Sequence, residues 1–133
     1  MMIEITHNRE YQKIAKRLIK NRPEFEHIRR FNVKIAYASS WEEKRKRNKI
    51  VFGECRKVPD YFRWLIPYDF VIYVYEPNIL HMNEKQLEIL IYHELRHIGV
   101  KEDGVEPSFY IVPHDIEDFK NILERYGLEW AGG

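Results

Sequence analysis

The chain has 133 residues, of which 44% are hydrophobic and 32% are charged. This length and composition predict one soluble globular domain spanning residues 1–133, because a chain of this size can bury one substantial core but is short for two. The formal net charge of +1 provides no overall field that would favour nucleic acid or an acidic membrane as the partner.

Cysteine usage and hydropathy predict the compartment. The single cysteine, Cys55, excludes an internal disulfide and a cysteine-based zinc ribbon, and it is typical of a reducing cytoplasm. The amino terminus lacks the charged-then-apolar pattern of a signal peptide. The longest apolar run, residues 70–75, is too short to cross a bilayer. We therefore expect a cytoplasmic protein that does not enter a membrane.

The first part of the chain predicts two helical pieces and a strand. Residues 9–20 have apolar side chains at helical spacing, and Asn8 is a candidate cap for that helix. Residues 23–30 predict a second, shorter helical piece. The alternation of apolar and polar side chains in residues 33–38 is typical of a strand.

A heavily charged turn region follows in residues 41–49. Residues 44–47 are four consecutive cations, and Trp41 supplies an aromatic neighbour, so this segment is the best local candidate for touching nucleic acid. Glu42 and Glu43 dilute the positive charge, and an exposed hairpin tip explains the same composition. We expect a solvated hairpin tip here and keep contact with nucleic acid as the less favoured alternative.

The middle of the chain predicts two more strands. Residues 50–58 indicate a strand with Gly53 at a candidate bulge, and residues 59–67 indicate a short helix or an irregular aromatic segment. Residues 70–75 are the strongest strand in the chain. They are apolar on both faces, which is typical of a strand that is central in its sheet or covered on each side.

Residues 83–98 predict a helix that carries the most informative motif. Asn83 is a candidate cap, and no proline or glycine interrupts the segment before Gly99. The helix is apolar nearly all round, which indicates that it is buried. It contains His-Glu-Leu-Arg-His at residues 93–97, the HExxH pattern of zinc-dependent hydrolases.

The spacing of the motif gives each of its polar side chains an expected role. His93 and His97 are four residues apart and therefore share one face of a helix, so both imidazoles can reach one metal ion. Glu94 lies beside that face and can act on a metal-bound water without ligating the metal. The alternative is that both histidines are hydrogen-bonded core residues. A bound cation would better resolve the cost of burying these groups.

The end of the chain predicts a polar loop in residues 100–107, a short strand in residues 108–112 and a last helix in residues 113–127. A catalytic zinc site normally has three protein ligands and a water. His114 is the best candidate for the third ligand, because the preceding strand and loop are long enough to double back on His97. Four carboxylates compete for that position: Glu102, Asp103, Glu117 and Asp118. His7, His27 and His81 are expected to be surface or hydrogen-bonded core residues.

These parts predict a hydrolytic mechanism. One Zn²⁺ on His93, His97 and His114 would activate a water, and Glu94 would take its proton and return it to the leaving amine. The oxyanion donor stays open among Tyr92, Tyr110 and Tyr126. A peptide could add as a strand at a sheet edge beside the cleft, although the two-sided apolarity of residues 70–75 argues that they are not that edge.

Three segments together resemble a known family. His-Glu-Leu-Arg-His-Ile at 93–98, His-Asp-Ile-Glu-Asp-Phe at 114–119 and Arg-Tyr-Gly at 125–127 resemble the Putative phage metallopeptidase family. Asp-Phe-Val-Ile-Tyr-Val at 69–74 fits as well. The family is similar in layout to SprT-like zinc proteases, and the likeness extends over roughly residues 30–127. It implies a minimal zincin-like fold.

On that resemblance His93, His97 and His114 are the metal ligands and Glu94 is the base. One cysteine cannot build the zinc ribbon that many SprT-like proteases carry, and Gly99 comes too early for a metzincin. The expected fold is α+β, with a small antiparallel or mixed sheet packed on an amino-terminal helix, the HExxH helix and a carboxy-terminal helix.

The leading hypothesis is therefore a zinc metallopeptidase acting on a peptide or protein. The alternative is a metal-stabilised, non-catalytic binding module, which would be nucleic-acid-associated if residues 44–47 contact nucleic acid.

Overall fold

The computed structural model describes residues 5–113, and each element given below lies within that range. The fold class is α+β, because the helices pack on small sheets that are antiparallel or mixed. None of the helices in this range is long and apolar enough to cross a membrane. The helices are α1 Arg9–Asn21, α2 Glu26–Arg30 and α3 Glu84–Leu95, and the strands are β1 Ile5–His7, β2 Ile35–Ser40, β3 Arg45–Lys46, β4 Lys49–Ile50, β5 Gly53–Lys57, β6 Phe70–Tyr75, β7 Ile98–Lys101 and β8 Ser108–Ile111.

The main sheet has four strands in the order β1-β2-β6-β5. Strands β2 and β6 are parallel, with Ile35 beside Phe70, whereas β1 and β5 pair antiparallel with their neighbours. The sheet is therefore mixed, as predicted. Strand β6 lies between β2 and β5, and Phe70, Ile72 and Val74 are completely buried. The central position inferred from the two-sided apolarity of this strand is confirmed, and β5 is an edge of the sheet.

Helices α1 and α3 pack against each other and on this sheet. The side chain of Asn8 accepts a hydrogen bond from the backbone N–H of Tyr11 and caps α1, as its position predicted. Helix α3 begins with a capping box, in which Asn83 and Gln86 each accept a hydrogen bond from the other's backbone N–H. Residues 89–95 of α3 are all buried. The predicted buried helix is thus present, and the fold class agrees with a small zincin-like domain.

Helix α3 is shorter than the sequence predicted, because it ends at Leu95 rather than at residue 98. The N–H of His97 bonds to the carbonyl of Glu94 at 3.1 Å, a tighter turn than the α-helical one. Strand β7 then begins and pairs with β8, so part of the predicted polar loop is a strand. In that pair Tyr110 lies directly over Gly99, where an added Cβ would come within 2.4 Å of the ring.

The segment before β6 also departs from the predicted boundaries. Gly53 begins β5 opposite Val74 in regular register, so it does not form the bulge that we expected. Residues 49–50 belong instead to the β3–β4 hairpin. Arg47 and Asn48 have positive φ angles of 53° and 64° at its tip, as a two-residue hairpin turn requires. The exposed hairpin tip predicted from charge is therefore confirmed.

A short 3-10 turn, Asp60–Phe62, lies in the aromatic segment of residues 59–67, where the sequence predicted a short helix or irregular chain. The predicted last helix, residues 113–127, lies outside the described residues except for Pro113.

Candidate metal centre

The two histidines of the motif lie side by side in the protein interior. His93 is in the last turn of α3 and His97 follows the helix, and their side chains are only 6% and 5% exposed. The ring centroids are 5.0 Å apart and the planes are nearly perpendicular. Two imidazoles that each place one nitrogen about 2.1 Å from a tetrahedral ion have their centroids about 5 Å apart. The observed separation therefore fits two ligands of one zinc ion.

The orientation of His97 is fixed by the end of β8. Its Nδ1 lies 2.6 Å from the carbonyl oxygen of Val112, and the backbone N–H of Val112 donates to the carbonyl of His97 at 2.7 Å. A carbonyl oxygen only accepts, so Nδ1 carries a proton, and in the neutral ring this places the lone pair on Nε2. Metal-binding histidines are commonly held by this kind of hydrogen bond on the second ring nitrogen.

Glu94 lies between the two histidines in sequence and is 4% exposed. Its removal from water, with a smaller contribution from the negative charge of Glu54, raises the pKa of Glu94 from its ordinary 4.5 to about 8. A carboxyl group in this range can take up and release a proton near neutral pH. A cation bound beside it would lower this pKa and favour the carboxylate.

A cleft of about 340 Å³ opens next to Glu94 and His97, whereas His93 is not among the residues that line it. Glu94 and His97 form one wall, and the chain that follows β8 contributes Val112 and Pro113. Three consecutive residues of β5, residues 53–55, also line it. The side chains of neighbouring residues in a strand point to opposite faces of the sheet. Three consecutive residues can therefore line the same cleft only if the cleft runs along the edge of the strand.

The hydrogen-bonding pattern shows which backbone groups of β5 face outward. Tyr75 donates its N–H to the carbonyl of Phe52 at 3.0 Å, and Val58 donates to the carbonyl of Asp69 at 2.9 Å. Antiparallel pairing alternates along the strand, so the even-numbered residues of β5 bond to β6. The N–H and C=O groups of Gly53 and Cys55 therefore point away from β6, on the side where the cleft lies. The edge strand beside the cleft is β5, which the sequence analysis did not identify.

Gly53 allows β5 to approach the motif helix. A Cβ atom added there would lie 2.9 Å from the carbonyl oxygen of Tyr73 and 3.4 Å from a carboxylate oxygen of Glu94. Sequence reasoning missed this role, although a glycine within a predicted strand is itself a signal of close backbone approach.

Two further side chains of β5 border the cleft, and neither was predicted to belong to it. Burial alone would raise the pKa of Glu54, but its hydrogen bond to Arg56 and the charges of Arg56 and Lys44 hold that pKa below its ordinary value. Burial, together with the charge of Glu94, raises the pKa of the Cys55 thiol well above its ordinary value. Cys55 is therefore a neutral thiol in the cleft wall, and Glu54 is a carboxylate neutralised by two cations.

Only some of the candidate third ligands lie among the residues that the structure describes. His114, Glu117 and Asp118 lie outside the described residues. Glu102 and Asp103 are exposed and do not line the cleft, and Glu102 forms an ion pair with Arg30 at 3.4 Å. Within residues 5–113, no three histidine, cysteine or acidic side chains are grouped closely enough to hold a metal ion.

The other candidate histidines and tyrosines lie away from the cleft. The ring of His27 contacts the carbonyl of Ile98 at 2.8 Å, His81 packs edge-on against Phe52, and His7 is exposed. Of the candidate oxyanion donors, Tyr92 donates its hydroxyl to Glu24 at 2.5 Å, and Tyr110 covers Gly99. Neither tyrosine lines the cleft, and Tyr126 lies outside the described residues.

Comparison with models of known families gives a match that spans nearly the whole chain. The family model described as Putative phage metallopeptidase matches residues 3–132, which is nearly the whole chain and includes both the motif and the segment after β8. No curated protein and no solved structure matches the chain.

Proposed function

The chain belongs to the Putative phage metallopeptidase family, and we propose that it is a zinc-dependent peptidase of the HExxH type. The family supports a metallopeptidase, and the arrangement of the motif supports the identity of the metal and the mechanism. The observation that carries the proposal is the pair of buried imidazoles with centroids 5.0 Å apart, next to a buried carboxyl group that borders an open cleft.

We assign His93, His97 and His114 as the ligands of one Zn²⁺. Support for His114 comes from its neighbours, because Pro113 lines the same cleft as His97 and the carbonyl of Val112 holds the His97 ring. When bound, zinc would supply a Lewis acid for activating water and polarising the substrate carbonyl.

Glu94 is the general base in this proposal. Its carboxylate takes a proton from the attacking water and later gives it to the amine that leaves. The position of Glu94 supports this role, because a cation bound beside the buried group would favour the carboxylate form that accepts the proton. The cleft beside it gives a peptide access to the same carboxyl group.

The edge of β5 that borders the cleft would hold the substrate. An extended peptide can hydrogen-bond to the outward N–H and C=O groups of Gly53 and Cys55, which adds a strand to the sheet. Because Gly53 brings the strand close to Glu94, a peptide held there presents a backbone carbonyl near the catalytic base.

Replacing Glu94 with glutamine tests the proposal. Glu94→Gln should keep one zinc per chain in elemental analysis and lose peptide hydrolysis by about a hundredfold or more. A denatured protein and a peptide library are suitable substrates. Loss of zinc from Glu94→Gln would contradict the role assigned to this residue. Stoichiometric zinc in a wild-type protein that cleaves no peptide would favour the alternative, a metal-stabilised binding module.

A further inference from the structure

The β3–β4 hairpin forms part of the cleft wall. Lys46 of β3 and Val51, just after β4, line the cleft together with Glu94 and His97. Arg45 precedes Lys46 in the same two-residue strand, but it does not line the cleft. Side chains of neighbouring strand residues point to opposite faces, so the side chains of Lys46 and Arg45 lie on opposite faces of the hairpin.

The positive charge of this hairpin is only partly balanced. Lys44 lies 3.6 Å from Glu54, and Arg56 lies 2.9 Å from the same carboxylate. The carboxylate of Glu54, which also borders the cleft, is thus already paired with two cations. Within residues 5–113, Lys46 and Lys49 belong to none of the ion pairs.

Lys46 and Lys49 also face each other across the hairpin. Directly opposed residues of an antiparallel pair share a face of the sheet, and like charges in that arrangement repel. A carboxylate placed between or beside them would relieve this repulsion. The cleft wall is therefore complementary to an acidic group of the substrate.

The direction of β5 indicates which part of a substrate meets Lys46. The hairpin joins β5 at its Gly53 end, and Glu94 lies close to Gly53. A peptide that pairs antiparallel with β5 runs from the Lys57 end towards the Gly53 end. Its carboxy-terminal part then passes the catalytic carboxyl group and continues towards Lys46.

We propose that Lys46 determines specificity by selecting substrates with an aspartate or glutamate on the carboxy-terminal side of the scissile bond. This inference rests on the proposed peptidase function and adds a substrate class to it. An exposed ion pair of this kind changes kcat/KM by about fivefold at low salt. Because the interaction is exposed, high salt should weaken the preference.

The experiment compares Lys46→Glu with Arg45→Glu, which makes the same charge change on the neighbouring residue. A degenerate peptide library with amidated carboxy termini is digested, so that side chains are its sole source of carboxylate. Products are sequenced to find residues on each side of the cut. Pairs of peptides that carry either aspartate or asparagine at one position then give the ratio of the kcat/KM value for the aspartate peptide to that for the asparagine peptide.

For the wild type we expect a ratio of about five in favour of aspartate on the carboxy-terminal side. Lys46→Glu should invert it to about one fifth, and Arg45→Glu should leave it within about twofold of the wild-type value. An unchanged ratio in Lys46→Glu, an equal effect of Arg45→Glu, or a preference for acid on the amino-terminal side would overturn the inference.

A second readout separates failure of this inference from failure of the proposed function. The same peptide pairs are titrated against the Glu94→Gln protein and its Lys46→Glu double variant by fluorescence anisotropy. If the wild type cleaves nothing, the peptidase proposal fails, while a Lys46-dependent preference in binding still supports acidic recognition. The affinity of Lys46→Glu and Arg45→Glu for a DNA duplex is measured as well. If both variants lose the same affinity for DNA and neither changes a peptide preference, the inference is overturned and the hairpin is assigned to nucleic acid.

Discussion

Replacing Gly53 with alanine should destabilise the protein and move the edge strand away from the carboxyl group of Glu94. The new Cβ would lie 2.9 Å from the backbone carbonyl oxygen of Tyr73 and 3.4 Å from Glu94. The first distance is too short to persist, and the clashing atom belongs to the neighbouring strand rather than to a flexible side chain. Overpacking of this kind costs about 2 kcal/mol, which lowers the melting temperature of a domain of this size by roughly 6–10 °C.

Gly104 offers a matched control within the same chain. A Cβ added there would lie 3.9 Å from the carbonyl oxygen of Glu106, an ordinary contact distance. We therefore expect Gly104→Ala to melt within about 2 °C of the wild type. Thermal unfolding followed by circular dichroism, with urea unfolding of the same three proteins, measures both changes. A Gly53→Ala protein as stable as Gly104→Ala would refute the close approach of β5 to β6 and α3.

Two further predictions concern stability. Asn83→Ala removes a capping box whose two hydrogen bonds are 2.9 Å and 2.8 Å long. Urea unfolding should show a loss of about 1 kcal/mol in the free energy of unfolding, which Asn83→Asp largely avoids. Equal losses in both variants would contradict the capping role. The pKa of Glu54 is lower in the folded protein than its ordinary 4.5, so the unfolded state binds more protons and stability is lost as the pH falls below about 4.5. The free energy of unfolding, measured across that pH range, should fall less for Glu54→Gln than for the wild type. Parallel curves for the two proteins would disprove this contribution of Glu54.

Features that depend on spacing along the chain were predictable from the sequence. The apolar periodicity around the motif indicated a buried helix, and the two-sided apolarity of residues 70–75 indicated a central strand. The charge of residues 44–47 indicated an exposed hairpin. Each of these inferences uses neighbours within one or two turns, whose geometry is fixed by the backbone.

Features that depend on pairing between distant segments could not be predicted in this way. The helix α3 ends at Leu95 because β7 pairs with β8, and no residue of the motif signals that competition. The position of β5 at the sheet edge follows from strand order, which links segments far apart in sequence. Cys55 and Lys46 became part of the cleft wall for the same reason.

Zinc affinity of the His114→Ala protein tests the central claim most directly, because the claim requires three imidazoles on one ion. His81→Ala, which removes a histidine away from the cleft, is the matched control. Competition with a chromogenic chelator should show that His114→Ala weakens zinc binding by about a hundredfold or more, while His81→Ala binds as the wild type does. Unchanged zinc affinity in His114→Ala would contradict the account.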